Sequence, residues 1–386
     1  MAVPSFIADS REDARFRTEV RSWLDENLPR ELCGWVGRLP PEKMIPWHRK
    51  MFERGWIAPG WPEEYGGMGA TLAQQLILQE EMGRIGAPTL SRQGLGHIGP
   101  ILMRFGSDAQ KAEHLPKILS GDVAWAQGYS EPGSGSDLAS LTTRATLDGE
   151  DFVINGRKIW TTMAQFADWM YGLVRTDPDA PRKQLGISII LIDLKTPGIT
   201  IRPIKTIAGD EEFAECTFED VRIPAENLVG AVNDGWRIAR SLLDHERIGN
   251  ASPQLALDLL DRVRRVARAT GAIDDPAFQD RLTIVEIDVL SQAAIFAHAV
   301  KMAAADMAIG SNSSFMKIVA TENVQKIADL LLEAAGPHAA DTEPLETQEG
   351  PIAISKLWLD IRKHTIYAGS NEIQRNIIAK RVLGLP

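Results

Sequence analysis

One carboxylate stands where a helix could offer it to a ligand. The segment Leu243–Arg247 lies in a stretch with helical periodicity, and on such a helix Glu246 shares a face with Leu242 and Gly249. An apolar floor beside a small residue leaves room for a ligand next to the carboxylate. Asp-His-Glu-Arg is also a common composition for a solvated helix face, so the alternative is a structural carboxylate.

An aromatic and a hydroxyl side chain alternate in the segment that follows Asn155-Gly156. Trp160 and Thr162 are two residues apart, a spacing that puts both on one face of a strand. Such a pair would give a flat ring an aromatic platform and a hydroxyl near its edge. The alternative is an ordinary half-buried strand tryptophan.

Two glycine-containing segments could bring backbone close to a ligand. Tyr129–Asp137 has two Gly, one Pro and three Ser, and glycine lets a backbone approach a flat ring while hydroxyls provide adaptable donors. Gly369 and Ser370 precede the last predicted helix, whose free N–H groups favour an anionic group, and Glu372 lies in its first turn. The alternatives are a surface turn and a plain helix cap, and a cap can also contact a ligand.

The elements that must position these residues change type along the chain. Residues 1–122 and 233–386 show helical periodicity, whereas 123–232 contains short strand-like segments without helices between them. The middle region therefore predicts an antiparallel sheet, with turns at Gly149 and at Asn155-Gly156. Pro253 predicts a kink in a long helix that runs from Asp234 to Arg268.

Composition excludes several classes of protein. The chain has 386 residues, 44% of them apolar, enough for two or three packed units. Its 42 basic and 52 acidic residues give a net charge of −10, which disfavours binding to nucleic acid and to anionic membranes. Cys33 and Cys216 fit two thiols of a cytoplasmic protein, with no metal-ligand spacing. The first residues resemble no secretory signal, and the apolar runs predict no membrane span.

Three segments together resemble the acyl-CoA dehydrogenase family, in the family's order. They are Tyr129-Ser130-Glu131-Pro132-Gly133-Ser134-Gly135-Ser136-Asp137, Asn155-Gly156-Arg157-Lys158-Ile159-Trp160-Thr161-Thr162 and Tyr367-Ala368-Gly369-Ser370-Asn371-Glu372-Ile373-Gln374-Arg375. The resemblance extends from Phe16, in the N-terminal region of helical periodicity, to Leu383. It implies a mainly α fold with an N-terminal helical domain, an antiparallel β-barrel-like middle domain and a C-terminal four-helix bundle. It also implies FAD, α,β-dehydrogenation of an acyl-CoA substrate, and transfer of electrons to an electron-transferring flavoprotein.

The resemblance also assigns roles to residues at matching positions. Ser136 would meet the CoA arm, and Arg247 matches an arginine near the acyl-binding region. The residues implied to contact FAD are Gln127, Tyr129, Ser130, Trp160, Thr162, Ala368, Ser370 and Glu372.

The chain departs from the commonest family pattern at the position of the base. Most members place a catalytic carboxylate where this chain has Ala368, and a methyl group cannot abstract a proton. A minority, including isovaleryl and long-chain types, supplies the carboxylate from a helix early in the C-terminal domain. Glu246 lies at that position here, with Asp244 as the second candidate.

A second departure concerns assembly. Family members form dimers or tetramers, and most have an Arg-x-x-Phe-Gly-like segment that reaches a neighbour's FAD phosphates, whereas Arg268–Pro276 has no such match. The chain is therefore expected to form either a homo-oligomer or a hetero-oligomer with a paralogous subunit. Three alternatives remain on the same fold: an acyl-CoA oxidase, a flavin monooxygenase, and a non-catalytic or half-site subunit.

Overall fold

The computed structural model describes residues 10–35, 37–88, 90, 92–241, 252–304 and 312–385. The chain forms two compact units, each assembled from separate stretches of sequence. The first consists of Met1–Gly37, Thr71–Pro88 and Asp244–Pro386, and the second of Arg38–Ala70 and Thr89–Leu243. The first unit therefore joins an early helical stretch to the C-terminal helices, and the second unit holds the sheet.

Helices account for both ends of the described chain, as the periodicity predicted. Helical residues 235–241 and a π-helical turn, Gln93–Ile98, supplement the named α-helices. The named α-helices are α1 Arg11–Asn27, α2 Pro41–Glu53, α3 Leu72–Arg84, α4 Gly99–Phe105, α5 Asp108–Ser120, α6 Gln254–Thr270, α7 Pro276–Ala304, α8 Asn312–Ala335, α9 Ile354–Ile361 and α10 Asn371–Arg381.

Side-chain caps explain where several of these helices begin. Ser10, Thr71 and Ser107 each form a capping box with the residue three positions later, satisfying N–H groups that the first turn leaves unpaired. Ser370 caps α10 by accepting a hydrogen bond from the N–H of Ile373 at 3.4 Å. The predicted cap at Ser370 is confirmed.

The second unit is built on one mixed sheet. The strands are β1 Trp125–Gly128, β2 Arg144–Asp148, β3 Asp151–Thr162, β4 Trp169–Arg175, β5 Ile187–Asp193, β6 Ile199–Ile204, β7 Phe213–Pro224 and β8 Leu228–Val229. The main path of the sheet runs in the order β6-β7-β3-β2-β4-β5-β8, and β1 pairs with β4.

Two details of the predicted sheet are wrong. The sheet is not wholly antiparallel, because β1 pairs in parallel with β4. Asn155-Gly156 forms no turn, because β3 continues through it with a shifted register against β7. Gly156 has φ 146°, and an added Cβ would lie 2.6 Å from the Cα of Thr143. The glycine therefore permits a bulge and a close backbone approach within one strand.

Each unit has its own apolar core. In the first unit α6, α7, α8 and α9 bury a shared cluster that includes Val263, Val289, Ile327 and Leu357. In the second unit the sheet buries a cluster that includes Phe152, Ile190 and Phe218. Burial of these side chains is the main stabilising contribution to each unit.

The predicted kink at Pro253 is wrong in form. Ser252 and Pro253 are described outside any helix, and Pro253 is the N-cap of α6. A proline lacks the N–H group that a helix interior needs, and it disfavours α conformation in the residue before it. The proline therefore begins a new helix instead of bending a continuous one.

Helix α7 bears on the prediction that no segment spans a membrane. Its stretch Pro276–Met302 is long and apolar enough to cross a membrane by length and composition, with a mean hydropathy of 1.4 and about a third of its apolar segment buried. Core helices of proteins without a membrane span can be equally long and apolar. Phe278 and Val289 of α7 lie in the apolar cluster shared with α6 and α8, whereas Ile284 and Ile287 are exposed.

Candidate active site

In the second unit, the loop after β1 is bound directly to the strand that carries Trp160. The N–H of Ile159 donates to the carbonyl oxygen of Ser130 at 2.9 Å. The Nζ of Lys158 donates to the carbonyl oxygen of Tyr129 at 3.2 Å. The structure therefore brings two of the predicted flavin-contacting segments together, although they lie about thirty residues apart in the chain.

A buried ion pair fixes this junction. The ammonium group of Lys158 donates to the carboxylate of Glu131 at 2.7 Å, and the two side chains are 1% and 4% exposed. The same carboxylate accepts hydrogen bonds from Thr142 N at 2.6 Å, Thr142 Oγ1 at 2.8 Å and Thr143 N at 2.9 Å. A buried carboxylate with this many donors is fully satisfied.

The surroundings of the pair shift both pKa values. Burial opposes ionisation of Glu131, but Lys158 and the threonine donors outweigh it and lower the pKa of Glu131 to about 2. Burial lowers the pKa of Lys158 to about 8, against the attraction of Glu131. Both groups are therefore charged at neutral pH. Glu131 and Lys158 lie inside the quoted motifs, yet sequence reasoning gave neither a role.

Trp160 presents an open aromatic face. The residue is 56% exposed, and its ring makes an edge-to-face contact with the Phe213 ring, with centroids 6.0 Å apart. The register of β3 shifts between Lys158 and Thr161, and Trp160 has φ 59°, a left-handed conformation. Trp160 and Thr162 flank the fully buried Thr161, so both lie on the more exposed side of the strand, as their spacing predicted. The prediction assumed a regular strand, whereas the strand is bulged at this point.

The remaining predicted residues of the second unit differ in burial. Gln127 is half-buried in β1, opposite Tyr171 of β4, whereas Ser136 is exposed. Tyr129 is buried with its ring edge-on to Tyr171, at a centroid distance of 5.8 Å. The hydroxyl of Tyr171 lies 2.9 Å from Nδ1 of His97. Burial lowers the pKa of His97 to about 4, so this imidazole is neutral near pH 7.

In the first unit, the turn before α10 has an unusual backbone. Ala368 has φ 53° and Gly369 has φ 81°, so two successive residues are left-handed. No described residue accepts a hydrogen bond from the N–H groups of Ala368, Gly369, Ser370 or Asn371. Successive left-handed residues and a helix N-terminus leave N–H groups available to an anionic atom.

Of the other residues predicted for the site, the structure describes Glu372 but not those near position 246. Glu372 is exposed, and hydrogen bonds from its own N–H and from Ser370 hold its pKa below the ordinary value. The catalytic candidate Glu246, the second candidate Asp244 and the substrate candidate Arg247 lie outside the described residues. Their roles stay predictions.

Both sets of groups have a chemistry that suits FAD. An exposed indole face beside polar backbone and hydroxyl groups fits an aromatic ring system with a polar edge. Unpaired N–H groups at a helix N-terminus fit a partly anionic partner. Each unit by itself therefore offers groups that could contact a flavin cofactor.

Comparison with known proteins gives the same family over nearly the whole chain. Family models described as the N-terminal, middle and C-terminal domains of acyl-CoA dehydrogenase match residues 10–122, 126–221 and 233–383. A relative named acyl-CoA dehydrogenase IpdE1, from Mycobacterium tuberculosis, is 38% identical over 381 residues, with 96% of this chain and 97% of the relative covered.

Solved structures agree with this result. The structure titled "Tcur3481-Tcur3483 steroid ACAD" superimposes with a TM-score of 0.88 and 33% identity, covering 98% of this chain and 99% of its own. The ChsE4-ChsE5 complex from Mycobacterium tuberculosis gives a TM-score of 0.82 and 32% identity, covering 98% and 99%. On its sequence, its fold and these matches, the chain belongs to the acyl-CoA dehydrogenase family of oxidoreductases.

Proposed function

We propose that the chain catalyses FAD-dependent α,β-dehydrogenation of an acyl-CoA thioester to the trans-2-enoyl-CoA, with Glu246 as the base. The observation that carries this proposal is the turn before α10. Ala368 provides an N–H group without a hydrogen-bond acceptor among the described residues and has no carboxylate side chain. A turn of this kind can stabilise an oxyanion but cannot remove a proton, so the base must come from another segment.

The family typically uses FAD, and the residues proposed to hold it combine an aromatic ring, hydroxyls and backbone amides. These groups would hold FAD, and FAD would supply the hydride acceptor for the β carbon of the substrate. The proposed contacts are Gln127, Tyr129, Ser130, Trp160, Thr162, Ala368, Ser370 and Glu372.

The protein's own groups would act on the α carbon. Glu246 would take the α proton, because a carboxylate near a thioester α carbon is a general base. The N–H of Ala368 would donate to the thioester oxygen as negative charge develops there. This donor needs no side chain, so replacement of the usual carboxylate by alanine leaves it in place. Ser136 and Arg247 are proposed to contact the CoA and acyl parts of the substrate.

Substitution of the proposed base tests the function directly. Glu246→Gln is expected to retain bound FAD but to lose turnover by at least about 1,000-fold, because the amide cannot accept the proton. Asp244→Asn is the matched control, with activity near that of the unchanged protein. Undiminished turnover in Glu246→Gln would remove Glu246 from the role. Loss in Asp244→Asn alone would assign the base to Asp244.

An anaerobic titration with acyl-CoA thioesters of different chain length, branching and ring content separates the alternatives. A dehydrogenase loses its visible flavin absorbance and recovers it slowly in air, whereas an oxidase recovers it fast. A non-catalytic subunit shows no change with any thioester. Rapid recovery when an electron-transferring flavoprotein is added would support that protein as the electron acceptor. A cytoplasmic location stays a prediction.

The second candidate is a half-site subunit of a hetero-oligomer. Two observations favour it: Arg268–Pro276 lacks the family's phosphate-reaching segment, and two similar structures, Tcur3481-Tcur3483 and the ChsE4-ChsE5 complex, are each named for two components. The chain purified alone would then contain little FAD, and co-expression with a paralogous subunit would restore it. A homo-oligomer with one FAD per chain would exclude this candidate.

A further inference from the structure

A buried lysine of the first unit closes the turn before α10. The Nζ of Lys317, on α8, donates to Oδ1 of Asn371 at 2.8 Å and to the carbonyl oxygen of Thr365 at 3.4 Å. Thr365 immediately precedes residues 366–370, and Asn371 immediately follows them. One ammonium group therefore clamps both ends of the turn that carries the N–H of Ala368.

Two further side chains, of Thr321 and Gln374, help Lys317 to hold this turn, and the three together are called the clamp below. Oδ1 of Asn371 also accepts from Oγ1 of Thr321 at 3.1 Å, and Asn371 is 3% exposed. Nε2 of Gln374, a fully buried residue, donates to the carbonyl oxygen of Gly369 at 3.2 Å. The first residue of α10 and the last residues of the turn are therefore held by side chains behind them.

The turn needs such support because its backbone is strained. Ala368 has φ 53°, a conformation that costs a non-glycine residue roughly 1–2 kcal/mol. Gly369 cannot be replaced freely, because an added Cβ would lie 2.5 Å from Nε2 of Gln374. A strained turn persists only when its surroundings determine its conformation.

Lys317 also keeps an uncompensated positive charge. It is 0% exposed, and no carboxylate of the described residues lies within ion-pairing distance of its Nζ. Burial lowers the pKa of Lys317 to about 8, and the exposed Glu372 opposes this shift, so the group is mostly protonated at pH 7. A buried cation without a carboxylate partner is costly, which suggests that its charge serves a bound anionic group.

We propose that Lys317 is a positioning residue for the reaction: its ammonium group holds residues 366–370 in place and adds positive charge behind the N–H groups of Ala368, Gly369 and Ser370, for which no described residue is an acceptor. The inference rests on the proposed function, because the negative charge it would stabilise is that of the activated thioester and of reduced FAD. Lys317 would not contact the substrate itself, because it acts through the turn.

Three variants of the full-length protein test the inference. Lys317→Met removes the charge at similar side-chain length, and Lys317→Arg retains it. Lys326→Met is the matched control on the same helix, because Lys326 is 54% exposed and pairs with Asp288 at 2.7 Å. Each variant is assayed for kcat, KM and the midpoint potential of bound FAD.

Lys317→Met is expected to lower kcat about 10- to 100-fold, less than loss of a direct oxyanion donor, with KM changed less than kcat. The midpoint potential should become more negative, by about 30 mV for each tenfold loss in stabilisation of a two-electron reduced cofactor. Lys317→Arg should recover part of both, and Lys326→Met should change neither.

The outcomes separate this inference from the proposed function. If the unchanged protein turns over acyl-CoA but Lys317→Met matches Lys326→Met in both kcat and potential, the inference is wrong and the function stands. If no thioester reduces the flavin of the unchanged protein, the function itself fails. Should Lys317→Met not fold, Lys317→Gln retains a donor toward Asn371 without the charge, and unchanged potential in that variant would overturn the electrostatic role.

Discussion

Lys158 and Lys317 are the two buried lysines in the described parts of the chain, one in each unit, and they meet different partners. Lys158 lies against the carboxylate of Glu131, whereas Lys317 meets only a carboxamide oxygen and a backbone carbonyl. The first charge is neutralised within the protein, so it can bind two segments together without affecting a ligand. The second is not neutralised, so its field remains available to whatever the neighbouring turn binds.

The largest expected effect comes from breaking the compensated pair. Lys158→Met leaves the Glu131 carboxylate buried without its cation, and this should lower the free energy of unfolding by about 3–5 kcal/mol. Urea denaturation monitored by circular dichroism measures the loss. A loss below about 1 kcal/mol would mean that the pair is not buried as the structure has it.

The double variant Lys158→Met/Glu131→Gln is the control for this prediction. With both charges removed, the stability should recover much of the single-variant loss, because no uncompensated charge remains and the amide oxygen can still accept both hydrogen bonds from Thr142. Losses that simply add would contradict a direct coupling between Lys158 and Glu131.

The second effect depends on pH. The pKa of Glu131 is lowered to about 2 from an ordinary 4.5. A carboxylate with a depressed folded pKa contributes stability above its unfolded pKa and loses it as the pH falls through its folded pKa. The free energy of unfolding of the unchanged protein should exceed that of Glu131→Gln at pH 5. This difference should shrink by on the order of 2–3 kcal/mol between about pH 5 and pH 2. Thermal melting of both proteins across this range measures it, and an advantage independent of pH would contradict the assigned pKa.

The third effect is the contrasting response of Lys317. Because no carboxylate is left behind, Lys317→Met should change the free energy of unfolding by only about 1 kcal/mol in either direction at pH 7. Above about pH 8 the unchanged protein should gain stability relative to the variant, since a depressed lysine pKa makes the folded state release its proton first. Glu372 is the charged group that opposes this shift. A loss as large as that of Lys158→Met would show that the two lysines have the same role.

Periodicity predicted the parts of the molecule whose signals are local. The order of helices and strands, the strand Phe152–Ile154 and the Ser370 cap follow from spacing within a few residues. Strand β1 was missed because it is four residues long and pairs in parallel with Trp169–Gly172, far along the chain.

The two lysines were missed although each has a signal in the sequence. Lys158 is separated from the buried Phe152 and Ile154 by even numbers of residues along β3, so the alternation of side chains in a strand places it on the same, inner face. Lys317 precedes the buried Thr321 and Val324 by four and seven residues, which places it on the buried stripe of α8. Neither pattern identifies a partner, because Glu131 and Asn371 lie 27 and 54 residues away. Burial of a lysine was predictable, but compensation of its charge was not.

The smallest expected effect concerns the backbone that Lys317 supports. Ala368→Gly should raise the free energy of unfolding by about 0–1 kcal/mol, because relief of the left-handed strain slightly exceeds the entropic cost of glycine. Ala379→Gly, within α10, is the matched control and should lower it by roughly 1 kcal/mol. In a Lys317→Met background the turn can relax without glycine, so the gain from Ala368→Gly should disappear. A gain that persists unchanged there would mean that the clamp does not enforce the strained conformation, and equal losses in the two glycine variants would mean that Ala368 is not left-handed in the resting protein.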